Sequence, residues 1–309
     1  MIMLDKILPT DLFELISKTL KFNLLFEIRL RLTKPIVINY GNKFYFLSPE
    51  GLTNDEDDAI ICTKNLIESV IMKASNFSLY SVNEDLKRGF ISLNSGMRIG
   101  LCGEIVEENA YVKTVKNFNS LNIRFPHEVK NCSLNALNYV LDAGQVLNTL
   151  VLSKPGAGKT TFIRDLCYQI GKRNYPLNLL ILDERNEIAC LNKGEPSMDV
   201  GKFTDIYQFG NKKMGFENGI RSMNPNVIIT DEIGNKDDVE SLIYACNCGV
   251  NIIATTHSKD ISDLKEKKLF NEVLSKKLFK RFIVLSAKNG VGTIDGIFDE
   301  NLIRLIWKR

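Results

Sequence analysis

The sequence predicts an α/β protein in which a doubly wound, mainly parallel sheet follows a smaller N-terminal α+β domain. Two observations predict this class. Between residues 147 and 287, short and nearly continuous apolar runs alternate with helical patterns, and strands that are apolar on both faces belong to parallel sheets covered by helices. The residues before 131 instead mix period-two runs with a helical pattern. We therefore predict two domains, 1–135 and 136–309, with a short connecting helix within 131–146.

A strand and a helix are predicted in the N-terminal domain. The strand covers 26–32, where apolar and charged residues alternate as in a half-buried strand. The helix covers 53–75, because Thr53 and the acids after it suit a helix start. Apolar residues from Ile60 to Ile71 then recur with helical spacing.

Two hairpins complete this domain. Runs rich in β-forming residues flank turn residues in 35–47, with the turn at Gly41-Asn42, and in 89–106, with the turn at residues 94–96. Such flanking of a short turn by two β-rich runs is typical of a hairpin.

The second domain is predicted from five apolar runs that end in polar residues. These runs cover 147–153, 177–183, 226–232, 251–257 and 281–287. Alternation of strands with helices favours parallel strands joined by right-handed crossovers. The lysines of 258–280 alternate with acids and apolar residues, and we interpret them as a solvated helix face rather than a nucleic-acid patch.

Composition limits the function classes. The net charge is +3, from 40 basic and 37 acidic residues, which gives no electrostatic footprint for nucleic acid. Seven cysteines, an odd number without a secretory signal, suggest reduced thiols in a cytoplasmic protein, and two histidines offer little for a zinc site. We expect no membrane span, because no apolar run approaches the ~18 residues that a span requires.

The stretch SKPGAGKTT resembles a phosphate-binding loop, because it follows an apolar strand and opens an amphipathic helical segment. Helix N-terminal N–H groups and the helix dipole favour phosphate there. Lys159 is expected to reach the β- and γ-phosphates, and the Thr160 hydroxyl to bind Mg²⁺. The alternative is an ordinary strand-to-helix turn. The predicted nucleotide-binding residues of this stretch are Ser153, Lys154, Pro155, Gly156, Ala157, Gly158, Lys159, Thr160 and Thr161.

Ser153 stands where the usual pattern has its first glycine. Pro155 favours an extended conformation for Lys154, so we expect the strand to continue past Ser153. An extended residue needs no positive φ, and a small side chain is therefore expected to fit at this position.

Acidic residues at the end of the 226–232 run supply a second half of the site. Asp231 is predicted to hold Mg²⁺ through its water shell, and Glu232 to polarise the water that attacks the γ-phosphate. His257 ends the 251–257 run and is predicted to sense the γ-phosphate or to orient water. A solvated strand end is the alternative for His257.

Two further candidates come from other strand boundaries. Glu184 lies in the Asp183-Glu184-Arg185 stretch after the 177–183 run, and ligands of open α/β sheets gather at such carboxyl ends. A salt-bridged rim of the sheet is the alternative. Arg221 precedes the strand of Asp231 and is a candidate for a charge that acts in trans at a subunit boundary, or else an ordinary surface arginine.

Several of these motifs together resemble one family. They are SLYSVNEDLKRGFISLNSGMRIGLCGEIV, LNIRFPHEV, SKPGAGKTTFIRDL, ILDERNEIA, IRSMNPNVIITDEIG and ATTHS, in this order. They are similar to the stage III sporulation protein AA family, of the type II and type IV secretion ATPase superfamily. The likeness covers nearly the whole chain from about Phe26. The resemblance implies a RecA-like ATPase core, a hexameric ring, and cytoplasmic work in the mother cell of a spore former. It also implies engagement with a membrane-embedded complex of sister sporulation proteins that links mother cell and forespore.

The resemblance also implies roles for individual residues. Lys159 and Thr160 match the Walker A pair, Asp231 and Glu232 the Walker B pair. Asp183-Glu184-Arg185 resembles the acidic box of the family and His257 its histidine box. Arg98 and Arg124 are the candidates for arginines that the N-terminal domain lends to the nucleotide. The sequence departs from the family pattern at Ser153 and at His127, where a further basic residue is expected.

The predicted function is Mg²⁺-dependent ATP hydrolysis that powers assembly or operation of a transenvelope secretion-like complex. One alternative is a nucleic-acid motor, since RecA-like cores also drive helicases, although the chain lacks a basic stretch interleaved with aromatic residues. Another alternative is a scaffold that binds ATP without turnover, which the presence of Glu232 disfavours.

Overall fold

A computed structural model describes residues 4–41, 43–87, 89–93, 96–108, 111–125, 129–173, 177–192, 194–208 and 211–305. The chain forms two compact units. The first contains Met1–His127 and Asn192–Ser197, and the second contains Glu128–Leu191 and Met198–Arg309. The sequence predicted a boundary after residue 135, and the independence of two domains stays a prediction.

The first unit is an antiparallel sheet with helices. Its helices are α1 (Leu4–Ile7), α2 (Thr10–Thr19), α3 (Lys64–Ala74) and α4 (Asn83–Lys87), with 3₁₀ turns at Phe22–Leu24 and Leu79–Val82. Its strands are β1 (Leu25–Arg31), β2 (Val37–Tyr40), β3 (Lys43–Ser48), β4 (Gly51–Thr53), β5 (Phe90–Ser92), β6 (Arg98–Glu108) and β7 (Tyr111–Arg124). They form a seven-stranded sheet in the order β4-β3-β2-β1-β7-β6-β5.

The predicted strand and both hairpins are confirmed. Ile28 and Leu30 of β1 are buried, whereas Phe26 is only partly buried because the register of β1 shifts at a bulge between Leu25 and Glu27. β2 pairs with β3, and β5 pairs with β6, both antiparallel. Gly41 lies between β2 and β3 with φ 59°. The turn residues Asn42, Asn94 and Ser95 lie outside the described residues.

The predicted start of the helix at Thr53 is wrong. Thr53 ends β4, and the helix begins eleven residues later at Lys64, where the Thr63 side chain accepts a hydrogen bond from the Leu66 N–H. Ile60 is extended, because its N–H donates to the Leu47 carbonyl at 2.8 Å. Backbone pairing of this kind competes with helix formation. The acids that suggested a helix start lie before Ile60, in the segment between β4 and α3.

The remaining elements follow in chain order. The helices are α5 (Leu134–Val140), α6 (Lys159–Lys172), α7 (Lys212–Met223), α8 (Lys236–Asn247), α9 (Ile261–Glu266) and α10 (Asn271–Ser275), with a 3₁₀ turn at Lys268–Phe270. The strands are β8 (Leu141–Asp142), β9 (Gln145–Val146), β10 (Thr149–Ser153), β11 (Leu179–Leu182), β12 (Leu191–Asn192), β13 (Glu195–Pro196), β14 (Thr204–Tyr207), β15 (Val227–Thr230), β16 (Asn251–His257), β17 (Arg281–Ser286) and β18 (Thr293–Phe298).

The second unit contains the predicted parallel sheet. Its strand order is β14-β11-β15-β16-β10-β17-β18. All five predicted runs form strands of this sheet and pair in parallel, and β14 extends it in parallel. β18 is antiparallel to β17 and closes one edge. Strand order therefore places β10 and β16 at the centre, where their carboxyl ends meet.

Both faces of this sheet are buried, as continuous apolar strands require. On one face Val151, Ile229 and Ile253 pack in a core with residues of α5 and α6, such as Phe162. On the other face alternate residues of the same strands pack with residues of α7 and α8, such as Phe216. The helix predicted within 131–146 is confirmed as α5. Within the described residues, no helix is long and apolar enough to cross a membrane.

The segment 258–280 is helical in three short pieces, and most of its lysines are exposed. Lys267 is an exception to the predicted solvated face. Its ammonium donates to the carbonyl of His257 and, at 3.0 Å, to the hydroxyl of Ser258. Lys267 therefore gives both oxygens at the end of β16 a hydrogen-bond partner.

Candidate functional site

The loop between β10 and α6 has the backbone of a phosphate-binding loop. Gly156 and Gly158 have left-handed φ angles of 76° and 94°, which L side chains rarely adopt. A Cβ on Gly158 would also collide with the Val291 side chain and lie 2.8 Å from the Gly292 nitrogen. Glycine at 158 is therefore required both by its own conformation and by close packing.

The loop leads into a helix N-terminus that offers free donors. N–H groups in the first turn of a helix have no helical carbonyl partner, and together with the helix dipole they attract anions. The α6 helix begins at Lys159 directly after the loop. Lys154, Pro155 and Gly156 are exposed, so an anion can approach this turn from solvent.

A cavity of about 760 Å³ lies beside the loop. Its walls come from the loop residues 154–157, from the β17–β18 edge and from the start of the segment after β16. Val284 and Phe298 give it apolar surface, and its charged lining includes both lysines (Lys259 and Lys288) and aspartates (Asp260 and Asp295). Ligand cavities of small molecules typically fall in the range of about 300–1,000 Å³.

Ser153 lies in strand conformation, but the strand ends at this residue and does not continue past it as expected. It is the last residue of β10 and is fully buried. Its hydroxyl donates to the Lys154 carbonyl at 2.7 Å, and it stands beside His257 in the parallel register of β10 and β16. A serine at this point therefore satisfies its own hydroxyl and leaves the loop conformation unchanged.

Lys159 projects its ammonium toward the end of β16. The side chain is buried, and Nζ lies 2.8 Å from Nδ1 of His257. Because an ammonium can only donate, Nδ1 accepts and the ring proton is on Nε2. Burial lowers the pKa of Lys159, and the carboxylates of Asp231 and Glu232 oppose that lowering. The Lys159 ammonium therefore lies among His257, Asp231 and Glu232, and a bound phosphate could replace these partners.

Thr160 and Asp231 are in direct contact. The Thr160 hydroxyl donates to Oδ2 of Asp231 at 2.8 Å. The other carboxylate oxygen, Oδ1, accepts from the hydroxyl of Thr255 and, at 2.9 Å, from the N–H of Glu232. The carboxylate is thus fixed with one oxygen toward the start of α6. A hydroxyl and a carboxylate at this separation are a suitable oxygen pair for Mg²⁺.

Glu232 is held in an uncommon backbone conformation. Its φ is 40°, and its N–H donates to Asp231 and, at 2.9 Å, to the hydroxyl of Thr255. Its two carboxylate oxygens face an arginine and a histidine. Oε2 lies 2.6 Å from Nη1 of Arg185, and Oε1 lies 3.6 Å from Nε2 of His257. Left-handed non-glycine residues often mark functional sites, where neighbouring contacts impose the strain.

Asp183 and Glu184, adjacent in sequence, have different environments. Asp183 is buried and accepts three N–H groups, from Glu187 at 2.8 Å, Ile188 at 3.0 Å and Ala189 at 2.9 Å. Burial raises its pKa, and the three N–H groups limit that rise. Glu184 is exposed, with its carboxylate 3.6 Å from Lys212 Nζ. Asp183 therefore shapes the loop, and Glu184 faces the site.

Two cationic residues of the site were missed in the sequence. Arg164 of α6 is buried and donates to the carbonyls of Ile188 and Glu187, both at 2.6 Å. Lys212 of α7 is buried and donates to the carbonyls of Asp231 at 3.1 Å and Glu232 at 2.7 Å. Arg164 lies in the stretch that follows the phosphate-binding loop and Lys212 lies in none of the motifs, and a buried lysine or arginine cannot be told from a surface one by residue type.

Of two further predicted residues, Thr161 lies beside these contacts and Arg221 lies away from them. Thr161 is in the first turn of α6, next to Thr160. Arg221 is in the last turn of α7, about 13 Å along the helix from Lys212. The structure therefore does not bring Arg221 to the site of its own chain, and a role in trans stays a prediction.

The two arginines predicted in the first unit are neighbours. Arg98 of β6 and Arg124 of β7 are directly paired in the antiparallel register, and directly paired residues share one face of the sheet. Arg98 also lies over the ring of Phe90, 5.2 Å from its centroid. Their role toward a nucleotide stays a prediction. His127 lies outside the described residues.

The sequence comparisons point to one family. The profile of the family described as "Sporulation stage III, protein AA" matches residues 3–305. The chain is 33% identical over 278 residues to "Stage III sporulation protein AA" of Bacillus subtilis (strain 168), and this alignment covers 89% of the chain and 87% of the relative.

The fold is similar to that of a solved bacterial ATPase and of a solved pilus retraction motor. The X-ray structure of the Legionella pneumophila ATPase DotB matches with a TM-score of 0.58 and 13% identity, over 89% of this chain and 74% of DotB. The crystal structure of the pilus retraction motor PilT with bound ADP matches with a TM-score of 0.56 and 13% identity, over 88% of this chain and 76% of PilT. The predicted fold class is confirmed.

The chain belongs to the family Sporulation stage III, protein AA, and it has a RecA-like α/β fold similar to those of DotB and PilT.

Proposed function

We propose that the protein is a Mg²⁺-dependent ATPase of the secretion-motor type. The observation that carries this proposal is the meeting of Lys159, Thr160, Asp231, Glu232 and His257 at the carboxyl ends of three neighbouring strands. These are the groups that phosphoryl transfer needs: a phosphate cradle, a metal site and a base.

The nucleotide binds with its phosphates on the loop 154–158 and the first turn of α6. Gly156 and Gly158 let the backbone wrap closely around them. The Lys159 ammonium exchanges its contact with His257 for the β- and γ-phosphates, a stronger partner because both are anionic. The nucleoside lies in the adjoining cavity, whose lysines and apolar surface suit a ribose and a base.

Thr160 and Asp231 would hold Mg²⁺. The residues fit this ion because a hydroxyl and a carboxylate oxygen are already 2.8 Å apart, and Mg²⁺ prefers oxygen ligands. When bound, Mg²⁺ neutralises charge that develops on the transferring phosphoryl group. The Thr255 hydroxyl and the Glu232 N–H donate to Oδ1 of Asp231. They thereby keep Oδ2 directed at the metal position.

Glu232 is the general base in this proposal. One of its carboxylate oxygens accepts a proton from the attacking water, which requires the contact with Arg185 to loosen. His257 lies between Glu232 and Lys159 and orients the water or senses the γ-phosphate. Glu184 acts through Lys212 rather than on the nucleotide itself.

The biological part of the proposal follows from the family. The Bacillus subtilis relative is named a stage III sporulation protein, and the fold is shared with a pilus retraction motor. We infer a homo-hexameric ring in the mother-cell cytoplasm, bound at the membrane through partners among the sister sporulation proteins. The ring converts ATP hydrolysis into movement that assembles or operates their transenvelope complex.

The test is molar mass and phosphate release, with and without ATP, for the wild type and Lys159→Ala. We expect an ATP-hydrolysing wild type whose mass rises toward a hexamer, and a Lys159→Ala variant that does neither. ATP binding without phosphate release by assembled rings would instead indicate a scaffold. Strong stimulation of phosphate release by DNA or RNA would indicate a nucleic-acid motor.

A further inference from the structure

Lys212 is a buried cation with four oxygen partners from three other elements. It is the first residue of α7, and its side chain is 7% exposed. Its ammonium donates to the main-chain carbonyls of Asp231 and Glu232. The carboxylates of Glu184 and Asp238 each lie 3.6 Å away. A lysine is rarely so buried unless it is paired. Two of the partners of Lys212 are the carbonyls of one turn, that of Asp231 and Glu232.

That turn carries the proposed base. Glu232 has a left-handed φ of 40°, and this conformation persists only when surrounding contacts impose it. Asp231 and Thr255 hold its N–H from one side. Lys212 holds its carbonyl, at 2.7 Å, from the other. With both ends of the residue fixed, the direction in which its side chain leaves the backbone is fixed as well.

The counterions of Lys212 connect the turn to its neighbours. Asp238 is itself buried and accepts the N–H groups of Gly234 at 2.9 Å and Asn235 at 3.3 Å. It therefore joins the ammonium to the start of α8. Glu184 joins it to the loop after β11, which also carries Arg185, the ion-pair partner of Glu232.

We propose that Lys212 is a positioning residue for hydrolysis, which holds the left-handed turn at Glu232 so that the carboxylate points toward the γ-phosphate. This role rests on the proposed ATPase function. The phosphate-binding groups have other partners, since Lys159 contacts His257 and Thr160 contacts Asp231. Loss of Lys212 is therefore expected to impair turnover and to spare ATP binding.

The experiment compares Lys212→Met, Lys212→Arg and Lys213→Met in the full chain. Lys213 is the exposed neighbour, so Lys213→Met removes the same charge without the buried contacts. For each protein we would measure the melting temperature, the dissociation constant for ATP and the rate of phosphate release. Lys212→Arg keeps a cation with several donors. It tests whether hydrogen bonds donated to the carbonyls of Asp231 and Glu232 suffice for turnover.

We expect Lys212→Met to lower kcat about 100-fold, the typical cost of misplacing a reacting group by about 1 Å. Its dissociation constant for ATP should match the wild type. Lys212→Arg should recover part of kcat, and Lys213→Met all of it. If Lys212→Met does not fold, Lys212→Arg decides the question. A positioning role predicts that kcat falls in this variant while its dissociation constant for ATP matches the wild type.

Four outcomes would overturn the proposal. Wild-type kcat in Lys212→Met, or ATP affinity lost in parallel with kcat, would exclude a positioning role while leaving the ATPase function intact. Equal loss of kcat in Lys213→Met would show a general effect of charge. A wild type that hydrolyses no ATP would overturn the proposed function and the role of Lys212 together.

Discussion

The Thr160 hydroxyl donates a 2.8 Å hydrogen bond to the Asp231 carboxylate, across 71 residues of sequence. The contact joins the first turn of α6, the helix that follows β10, to the end of β15. In the sheet, β16 lies between β15 and β10. The contact shows that the two motifs form one site within a single unit.

Replacing Thr160 by Val should weaken Mg²⁺ binding. Valine has nearly the shape of threonine but no hydroxyl, so the metal would lose one ligand while the helix start is retained. We expect the Mg²⁺ concentration for half-maximal hydrolysis to rise by about 10–100-fold. A Mg²⁺ titration of phosphate release measures this shift. An unchanged titration curve would exclude Thr160 from the metal site.

ATP affinity should fall at alkaline pH. Burial lowers the pKa of Lys159, so its ammonium, which the phosphates require, is lost at lower pH than in an exposed lysine. Affinity should therefore be constant near neutral pH and decline as the pH rises through the lowered pKa. The measurement is the dissociation constant for ATP between pH 7 and pH 10. Lys159→Arg, which stays charged over this range, should show no such decline.

Ser133→Ala should cost stability at neutral pH and little in acid. Asp165 accepts hydrogen bonds from the N–H and hydroxyl of Ser133, at 2.8 and 2.6 Å, from the Asn131 N–H and from Gln169. Burial alone would raise its pKa, but these hydrogen bonds outweigh burial and hold the pKa below the usual aspartate range.

A lowered pKa fixes the sign of the pH dependence. Stability from this carboxylate is complete above the unfolded-state pKa of about 3.9 and is lost as the pH falls through the folded-state value. We expect Ser133→Ala to lower the free energy of unfolding by about 1–2 kcal/mol at pH 7. Urea unfolding at pH 7 and pH 3 checks this, and a difference that widens in acid would contradict it.

Asp183→Ala and Glu184→Ala should separate structure from function. Asp183→Ala leaves three N–H groups, two of them buried, without their acceptor, and we expect it to lower the free energy of unfolding by about 3–5 kcal/mol. Glu184 is exposed, so its removal should change stability by less than about 0.5 kcal/mol. Denaturant unfolding of both variants measures the difference. Equal losses would refute the separate roles.

The site was predictable where residue type and strand position together specify a group. Continuous apolar runs predicted five strands of the parallel sheet, and the polar residues at their ends predicted Asp231, Glu232 and His257. Carboxyl ends of parallel strands share one edge of the sheet. The glycine positions followed from the phosphate loop pattern in the same way.

The remaining features depend on contacts that sequence patterns do not contain. Lys212 and Lys213 are adjacent and chemically identical, yet one is buried against the Glu232 turn and the other is exposed. Helical spacing suggested that Ile60 lies in α3, but hydrogen bonds to Leu47 and Ile36 place it beside the N-terminal sheet. In both cases tertiary packing decides between alternatives that local sequence leaves equal.

Phosphate release from ATP by Glu232→Gln tests the proposed mechanism most directly. The variant keeps the size of the side chain and removes the base, and Glu240→Gln, an exposed glutamate on α8, is the matched control. With ATP binding confirmed in all three proteins, the wild type and Glu240→Gln should release phosphate at equal rates. Glu232→Gln should be slower by a factor of about 10²–10⁴. A wild-type rate in Glu232→Gln would contradict the assignment of Glu232 as the base.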